Sequence, residues 1–195
     1  MNLEDCRKRL EKLEGAREEL LHLLRELRIL SSKAIVHVHS GNISEAEESI
    51  RKASKILEEV QKFREFPEIY TISLDAMQEF VEAACFLKVV KGEFDFSLDF
   101  EVLHSAFITG LADLIGELRR FSLAKMIKGE IEEAEKILEL MEEIYHRLLP
   151  FAIFPDKIVP NLRSKLDVAR AGIERTKSDL ISARLYEVLD RNRRH

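Results

Sequence analysis

From Leu103 to Ile127 the chain carries Leu103, Phe107, Ile108, Leu111, Leu114, Ile115, Leu118, Phe121, Leu123, Met126 and Ile127 without an intervening proline. At helical spacing these residues fall on most of the circumference, so protein must cover such a helix on most sides. A fold that accommodates it needs further amphipathic helices around it. One polar strip interrupts the apolar surface: at 100° per residue, Thr109, Asp113, Glu117 and Arg120 stack along one face. Two carboxylates one turn apart are costly to bury bare. Three arrangements relieve them: neutralisation by Arg120 and by lysines of neighbouring helices, exposure of the strip to solvent, or a hard cation such as magnesium.

The rest of the chain supplies the surrounding helices. Leu10, Leu13, Leu20, Leu24, Leu27, Leu30, Ile35 and Val38 recur at three and four residues and predict one long helix from about Leu3 to Val38. His39-Ser40-Gly41-Asn42 stops it, and Ser44 with Glu47 three residues on reads as a capping box for a second helix that runs to about Phe63. Pro67 closes the connection, and a third helix is expected over Ile69–Val90, broken by Gly92. Gly92 to Glu101 alternates aromatic and polar residues and is read as a loop. After the central helix, Gly129 precedes a further helix over Glu130–Leu149, and the last helix is expected over Asn161–Leu189, followed by the basic tail RNRRH. Between these two, Pro150, Pro155 and Pro160 fence the apolar stretch FAIFPDKIVP, which is expected to pack into a partner or against the helices because exposed phenylalanines favour association.

One heptapeptide pattern occurs twice. GNISEAEESI at Gly41 and GEIEEAEKIL at Gly129 share Gly-x-Ile-x-Glu-Ala-Glu and resemble the turn of a tetratricopeptide repeat. Two copies 88 residues apart (129 less 41) fail the roughly 34-residue period of that repeat. The pattern reads instead as two glycine-terminated turns, each followed by an acidic first helical turn that suits the helix dipole.

A chain of 195 residues suits one domain, residues 1–195, and 46% hydrophobic with 34% charged residues, few glycines and no tryptophan suits an all-α protein. A net charge of −5 disfavours a uniformly basic nucleic-acid surface, yet 31 lysines and arginines allow a basic face within an acidic total. Cys6 and Cys85 make neither a disulfide framework nor a zinc spacing, so they read as reduced thiols of a cytoplasmic protein. Neither a signal peptide nor a membrane span is expected, since acids and bases interrupt every apolar run well short of the ~18 residues a span requires.

A second acid pair lies in DAMQEFVEA, where Glu79 and Glu82 share a face among apolar neighbours. Such pairs are commonly solvated helix faces. If the two most apolar helices pack antiparallel, however, Glu79, Glu82, Asp113 and Glu117 can converge, and their mutual repulsion then calls for protonation or for Mg2+ or Mn2+. The histidines offer no rival centre: His37 and His39 fall on opposed faces, and His22, His104, His146 and His195 form no ligand spacing. The chain also lacks a glycine-rich phosphate loop and a nucleophile elbow.

GLADLIGELRR resembles the GVADLTGELMR-type segment of the translin family, and LDAMQEFVEA resembles the LQEYVEA segment of its translin-associated factor X branch. RELRILSSKAIVHVHSG and NLRSKLDVARAGIERTKSDL are similar to the end of the family's first helix and to its C-terminal helix. The resemblance spans about Glu18 to Leu189 and implies a seven-helix fold assembled into a hollow homo-oligomer, an octamer, that encloses RNA or single-stranded DNA. The factor X branch is a magnesium-dependent endoribonuclease, whereas translin itself mainly binds. By motif, the family's catalytic and metal-holding acids fall on Glu79, Glu82, Asp113 and Glu117. Lys33 and Arg120 lie in the family-like segments and are the candidates for nucleic-acid contact.

Overall fold

The structure is a computed structural model that describes residues 2–193. All its regular structure among those residues is helical: α1 (Leu3–His39), α2 (Ile43–Gln61), the single-turn α3 (Pro67–Tyr70), α4 (Leu74–Val90), α5 (His104–Ile127), α6 (Ile131–Leu148) and α7 (Leu162–Arg193). Short 3-10 turns cover Lys62–Glu65, Thr71–Ser73 and Leu149–Ile153. Of the predicted basic tail, Arg194 and His195 lie outside the described residues. The chain divides into two compact units, Met1–Phe107 and Ile108–His195, and the boundary falls within α5.

In the first unit α1 packs against α2 and α4. The leucine spacing of α1 explains why: Leu20, Leu24 and Leu27 meet Ala53, Leu57 and Val60 of α2 and Met77, Phe80 and Ala84 of α4 in one buried cluster. Asn2 caps α1 by accepting a 2.9 Å hydrogen bond from the Asp5 N–H. The stretch between α4 and α5 is a loop, as its composition predicts, and it is not loose. Phe100 meets Phe80 edge-on at 5.6 Å, and the Lys88 ammonium donates to the Ser97 carbonyl at 2.9 Å.

In the second unit α6 packs against α7, and α7 buries Leu162, Leu166, Ala169, Ile173, Thr176 and Leu180 at spacings of three and four. Buried hydroxyls satisfy themselves locally or across helices: Thr176 donates to the Gly172 carbonyl at 2.9 Å, and Ser122 of α5 donates to the Ala134 carbonyl of α6 at 3.1 Å. Asn161, with φ of 57°, turns the chain into α7, a left-handed conformation asparagine tolerates.

The repeated heptapeptide forms the same joint twice. After α1, the Gly41 N–H donates to Val38 and the Asn42 N–H to His37; after α5, Gly129 donates to Met126 and Glu130 to Lys125. This is a Schellman closure, and it needs the left-handed residue that Gly41 (φ 75°) and Gly129 (φ 76°) supply. Each following helix then buries the shared alanine completely, Ala46 and Ala134.

Several local expectations are corrected. The capping box at Ser44 does not form, because the closure makes Asn42 the residue before the helix and puts Ser44 inside the first turn; its hydroxyl donates to Glu45 at 2.9 Å, and Glu47 pairs with Lys91 at 2.8 Å. The helix expected over Ile69–Val90 is interrupted, since Thr71-Ile72-Ser73 tightens into a 3-10 turn, in keeping with the weak helix preference of β-branched residues and serine. Coverage of α5 is also incomplete. Ile108, Leu111, Leu114, Ile115 and Leu118 are buried, but Ile127 is 86% exposed at the rim of an open apolar cleft lined also by Leu123, Met126, Ala183 and Tyr186. In the fenced apolar stretch Val159 is buried, whereas Ile153, Phe154 and Ile158 face outward.

Candidate functional site

The polar strip of α5 has one buried end, Thr109, and one exposed end, Arg120, with the two acids partly covered between them. Thr109 is fully buried, the Glu117 side chain is 13% exposed, that of Asp113 is 27% exposed and that of Arg120 is 67% exposed. Each acid is met by a base. The Lys165 ammonium, in the first turn of α7, donates to both Asp113 carboxylate oxygens at 2.7 Å. Arg120, one turn on from Glu117 along α5, reaches it at 3.2 Å. The neighbouring Arg119 is turned the other way: it lies against α7, with its Cδ 3.5 Å from where a Gly172 side chain would begin, and contacts Asp179 at 3.4 Å. Asp113 and Lys165 line a cleft of about 350 Å³ with Ala112, Ile115, Gly116 and Val168.

In the first unit, Glu79 and Glu82 lie half-buried on α4 with Gln78, on the only broad polar face of a helix whose other sides bury Met77, Phe80, Val81 and Ala84. Glu79 accepts a 2.9 Å hydrogen bond from the Arg28 guanidinium of α1. Lys33 is exposed on α1 and, among the described residues, has no ion pair. It shares its face with Arg25, Arg28 and the exposed Ile29, since these positions fall within 140° of arc.

Of the predicted site residues, then, Asp113 and Glu117 stand one turn apart in the second unit, Glu79 and Glu82 on one face in the first. Pairing of the α5 acids with Arg120 and with a lysine of a neighbouring helix is as the sequence allows, but the sequence does not single out Lys165, nor does it point to Arg28 as the partner of Glu79. Both of these last two pairs join residues more than 50 positions apart, 52 for Lys165 with Asp113 and 51 for Arg28 with Glu79, and no local pattern announces such a contact. Among the described residues no group of three or more His, Cys, Asp or Glu side chains is arranged to hold a metal ion. The donors themselves are all carboxylate oxygens, which suits Mg2+ or Mn2+. Magnesium commonly rests on one or two carboxylates and completes its shell with water and substrate phosphate, so a pair of acids is a sufficient protein contribution.

The helices, their glycine-closed joints and acids carried on helix faces rather than on loops define an all-α protein whose candidate chemistry is electrostatic. The chain belongs to the translin family, whose pattern it matches over residues 15–178. It is similar to AfC3PO, with 56% identity and a TM-score of 0.93 over 96% of this chain and 100% of that one. A structure of AfC3PO in complex with duplex RNA matches at 55% identity and a TM-score of 0.93, covering 96% of this chain and 99% of that chain. Apo-NeC3PO shares the fold at 23% identity, with a TM-score of 0.79 over 93% and 97% of the two chains. An uncharacterized protein of Methanocaldococcus jannaschii is 32% identical over 176 residues, 87% of this chain and 77% of its own length.

Proposed function

We propose that this protein binds RNA as a homo-oligomer and cleaves it as a divalent-metal-dependent endoribonuclease. The observation that carries the binding half is the similarity, at 55% identity over nearly the whole chain, to a protein solved with duplex RNA. Support for the catalytic half is the presence of Glu79, Glu82, Asp113 and Glu117 in the segments that resemble the family's acidic motifs. A bound Mg2+ or Mn2+ supplies Lewis-acid chemistry, lowering the pKa of water and offsetting phosphate charge. The chain's own part is to present two carboxylates one turn apart on α5, to shield them from bulk water, and to hold the RNA backbone with exposed cations. Arg120 and Lys33 fit that last role, because phosphate contacts need accessible, positively charged donors.

A second reading, an RNA- or single-stranded-DNA-binding oligomer without turnover, is favoured by one observation: both Asp113 oxygens are already occupied by Lys165. One experiment separates the two. A short labelled RNA and its DNA counterpart are incubated with the protein in Mg2+, in Mn2+ and in chelator, beside Asp113→Asn. The nuclease reading expects metal-dependent RNA cleavage that Asp113→Asn abolishes while binding persists; binding without cleavage in any metal establishes the second reading. In the same binding assay Arg120→Ala should weaken RNA affinity at all sequences and flatten its salt dependence.

A further inference from the structure

The cleft between α5 and α7 carries more positive than negative charge. Its lining side chains include three cations, Lys165, Arg119 and Arg175, and one carboxylate, Asp113. Lys165 is neutralised by Asp113, with its ammonium 2.7 Å from both carboxylate oxygens. Two arginines are left, one on each helix. Arg175 is exposed on α7 and, among the described residues, makes no ion pair. Arg119 has a long contact from a terminal nitrogen to the half-exposed Asp179, at 3.4 Å, and its Nε is buried without a hydrogen-bond partner. A buried donor without an acceptor is unfavourable, and an oxyanion is the acceptor that guanidinium groups match best.

We propose that this cleft is a phosphate subsite, in which Arg119 from α5 and Arg175 from α7 bind one phosphate group of the RNA. The inference rests on the RNA-binding half of the reading above and is independent of any metal. Arginine suits the task, because its planar fork of donors matches two phosphate oxygens at once. The walls strengthen the attraction. Ala112, Ile115, Val168 and Ala169 give the cleft, of about 350 Å³, apolar sides, and low-dielectric walls focus the field of the charges between them. Gly172 lets the Arg119 stem lie against α7, with its Cδ 3.5 Å from where a side chain would begin, so packing places the guanidinium. Val168, 68% exposed, leaves the cleft open to an approaching strand. Lys165 has a part as well: by covering Asp113 it keeps the carboxylate from repelling the phosphate. Apart from Ser164 the lining holds no neutral polar side chain to read a base edge, so the contact positions the strand without selecting its sequence.

The test reads the RNA affinity of full-length wild type, Arg175→Gln, Arg175→Lys and Arg119→Gln by fluorescence anisotropy, in chelator and over a range of salt concentrations. Two unrelated RNA sequences are used, each with a 5′-phosphate and with a 5′-hydroxyl. Arg175→Gln should weaken binding about tenfold, the scale of one charged hydrogen bond. The loss should be equal for both sequences, and the slope of log affinity against log salt should fall by about 1. Arg175→Lys keeps the charge without the fork, so it should keep the slope and lose part of the affinity. Arg175→Gln should melt with wild type, since no ion pair is broken, and Arg170→Gln, on the same helix but outside the cleft, should bind as wild type does. Equal loss with either 5′ end assigns a backbone phosphate, and loss confined to 5′-phosphorylated strands assigns the terminal one. Wild-type affinity and slope in Arg175→Gln overturn the inference and leave the RNA reading standing, as does an equal loss in Arg170→Gln or a loss for one sequence alone. Failure of wild type to bind either RNA overturns both. Arg119→Gln should match Arg175→Gln; should it fail to fold, Arg175→Gln decides alone.

Discussion

Asp113 shows how a single residue can carry two demands. Its carboxylate is mostly covered and shares an ammonium with Lys165. Asp113→Asn leaves that lysine facing a neutral amide in a cleft, so in metal-free buffer the substitution should cost about 1–3 kcal/mol, below the value for a fully buried pair because a quarter of each group meets water. A urea titration of both proteins in chelator measures it, and unchanged stability would mean the pair contributes nothing. Cys85 makes a pH-dependent statement. Complete burial, with Asp95 adding to it and Lys88 opposing it, pushes its thiol up to about 12. A raised folded value means the stabilisation is fully present below the unfolded thiol's pKa of about 8.5 and is lost as pH climbs through the range above it. Urea midpoints from pH 8 upward should therefore fall less steeply for Cys85→Ala than for wild type, and a thiol reagent at neutral pH should label the half-buried Cys6 and spare Cys85. What a residue carries was legible in the sequence, and so was the pair one turn apart, Arg120 with Glu117; which distant base each acid meets was not. The acids of α5 stood out because charges interrupted an apolar helix, but Lys165 and Arg28 are one base among many until the chain folds.

At the scale of elements, periodicity and glycine placement predicted α1, α2, α5, α6 and α7 to within a few residues, because side-chain burial and left-handed turns are local properties. The failures were equally local in cause. The capping box at Ser44 lost to a backbone closure that begins one residue after the helix ends, and the break at Thr71–Ser73 followed from residues that resist helix without forbidding it. The two closures themselves can be tested. No atom lies within 4 Å of a Cβ built on Gly41 or Gly129, so substitution there meets no steric obstacle and pays only for the positive φ. Gly41→Ala and Gly129→Ala should each cost roughly 1–2 kcal/mol by thermal or chemical melting, and nearly the same amount as each other, since the joints share their hydrogen bonds and their buried alanine. A large difference between the two would show that the likeness is only one of sequence.

For the molecule as a whole, the apolar groups left outside are the main guide. Ile127, Ile153, Ile158, Val168, Ile181 and Leu185 are each more than half exposed in the single chain. Exposed apolar surface of this kind marks association, and the proposed homo-oligomer should bury interfaces larger than about 2,000 Å², as obligate assemblies do. Light scattering behind size exclusion at micromolar concentration should give several times the 22.6 kDa mass of one chain, and a monodisperse monomer would refute the assembly. Family and fold were legible across the sequence because they rest on long segments, whereas no single-chain pattern reports how many copies meet. The glycine closures also bear on time. The bonds that reverse the chain after α1 and after α5 span no more than five residues, from His37 to Asn42 and from Lys125 to Glu130. Ring closures that short form in well under a microsecond, long before contacts between distant segments are found. Each pair of helices thus has its reversal in place while the rest of the chain is still searching. Pulsed hydrogen exchange should find the amides of Asn42 and Glu130 among the first protected, and late protection there would assign the nucleus to the longer-range core instead.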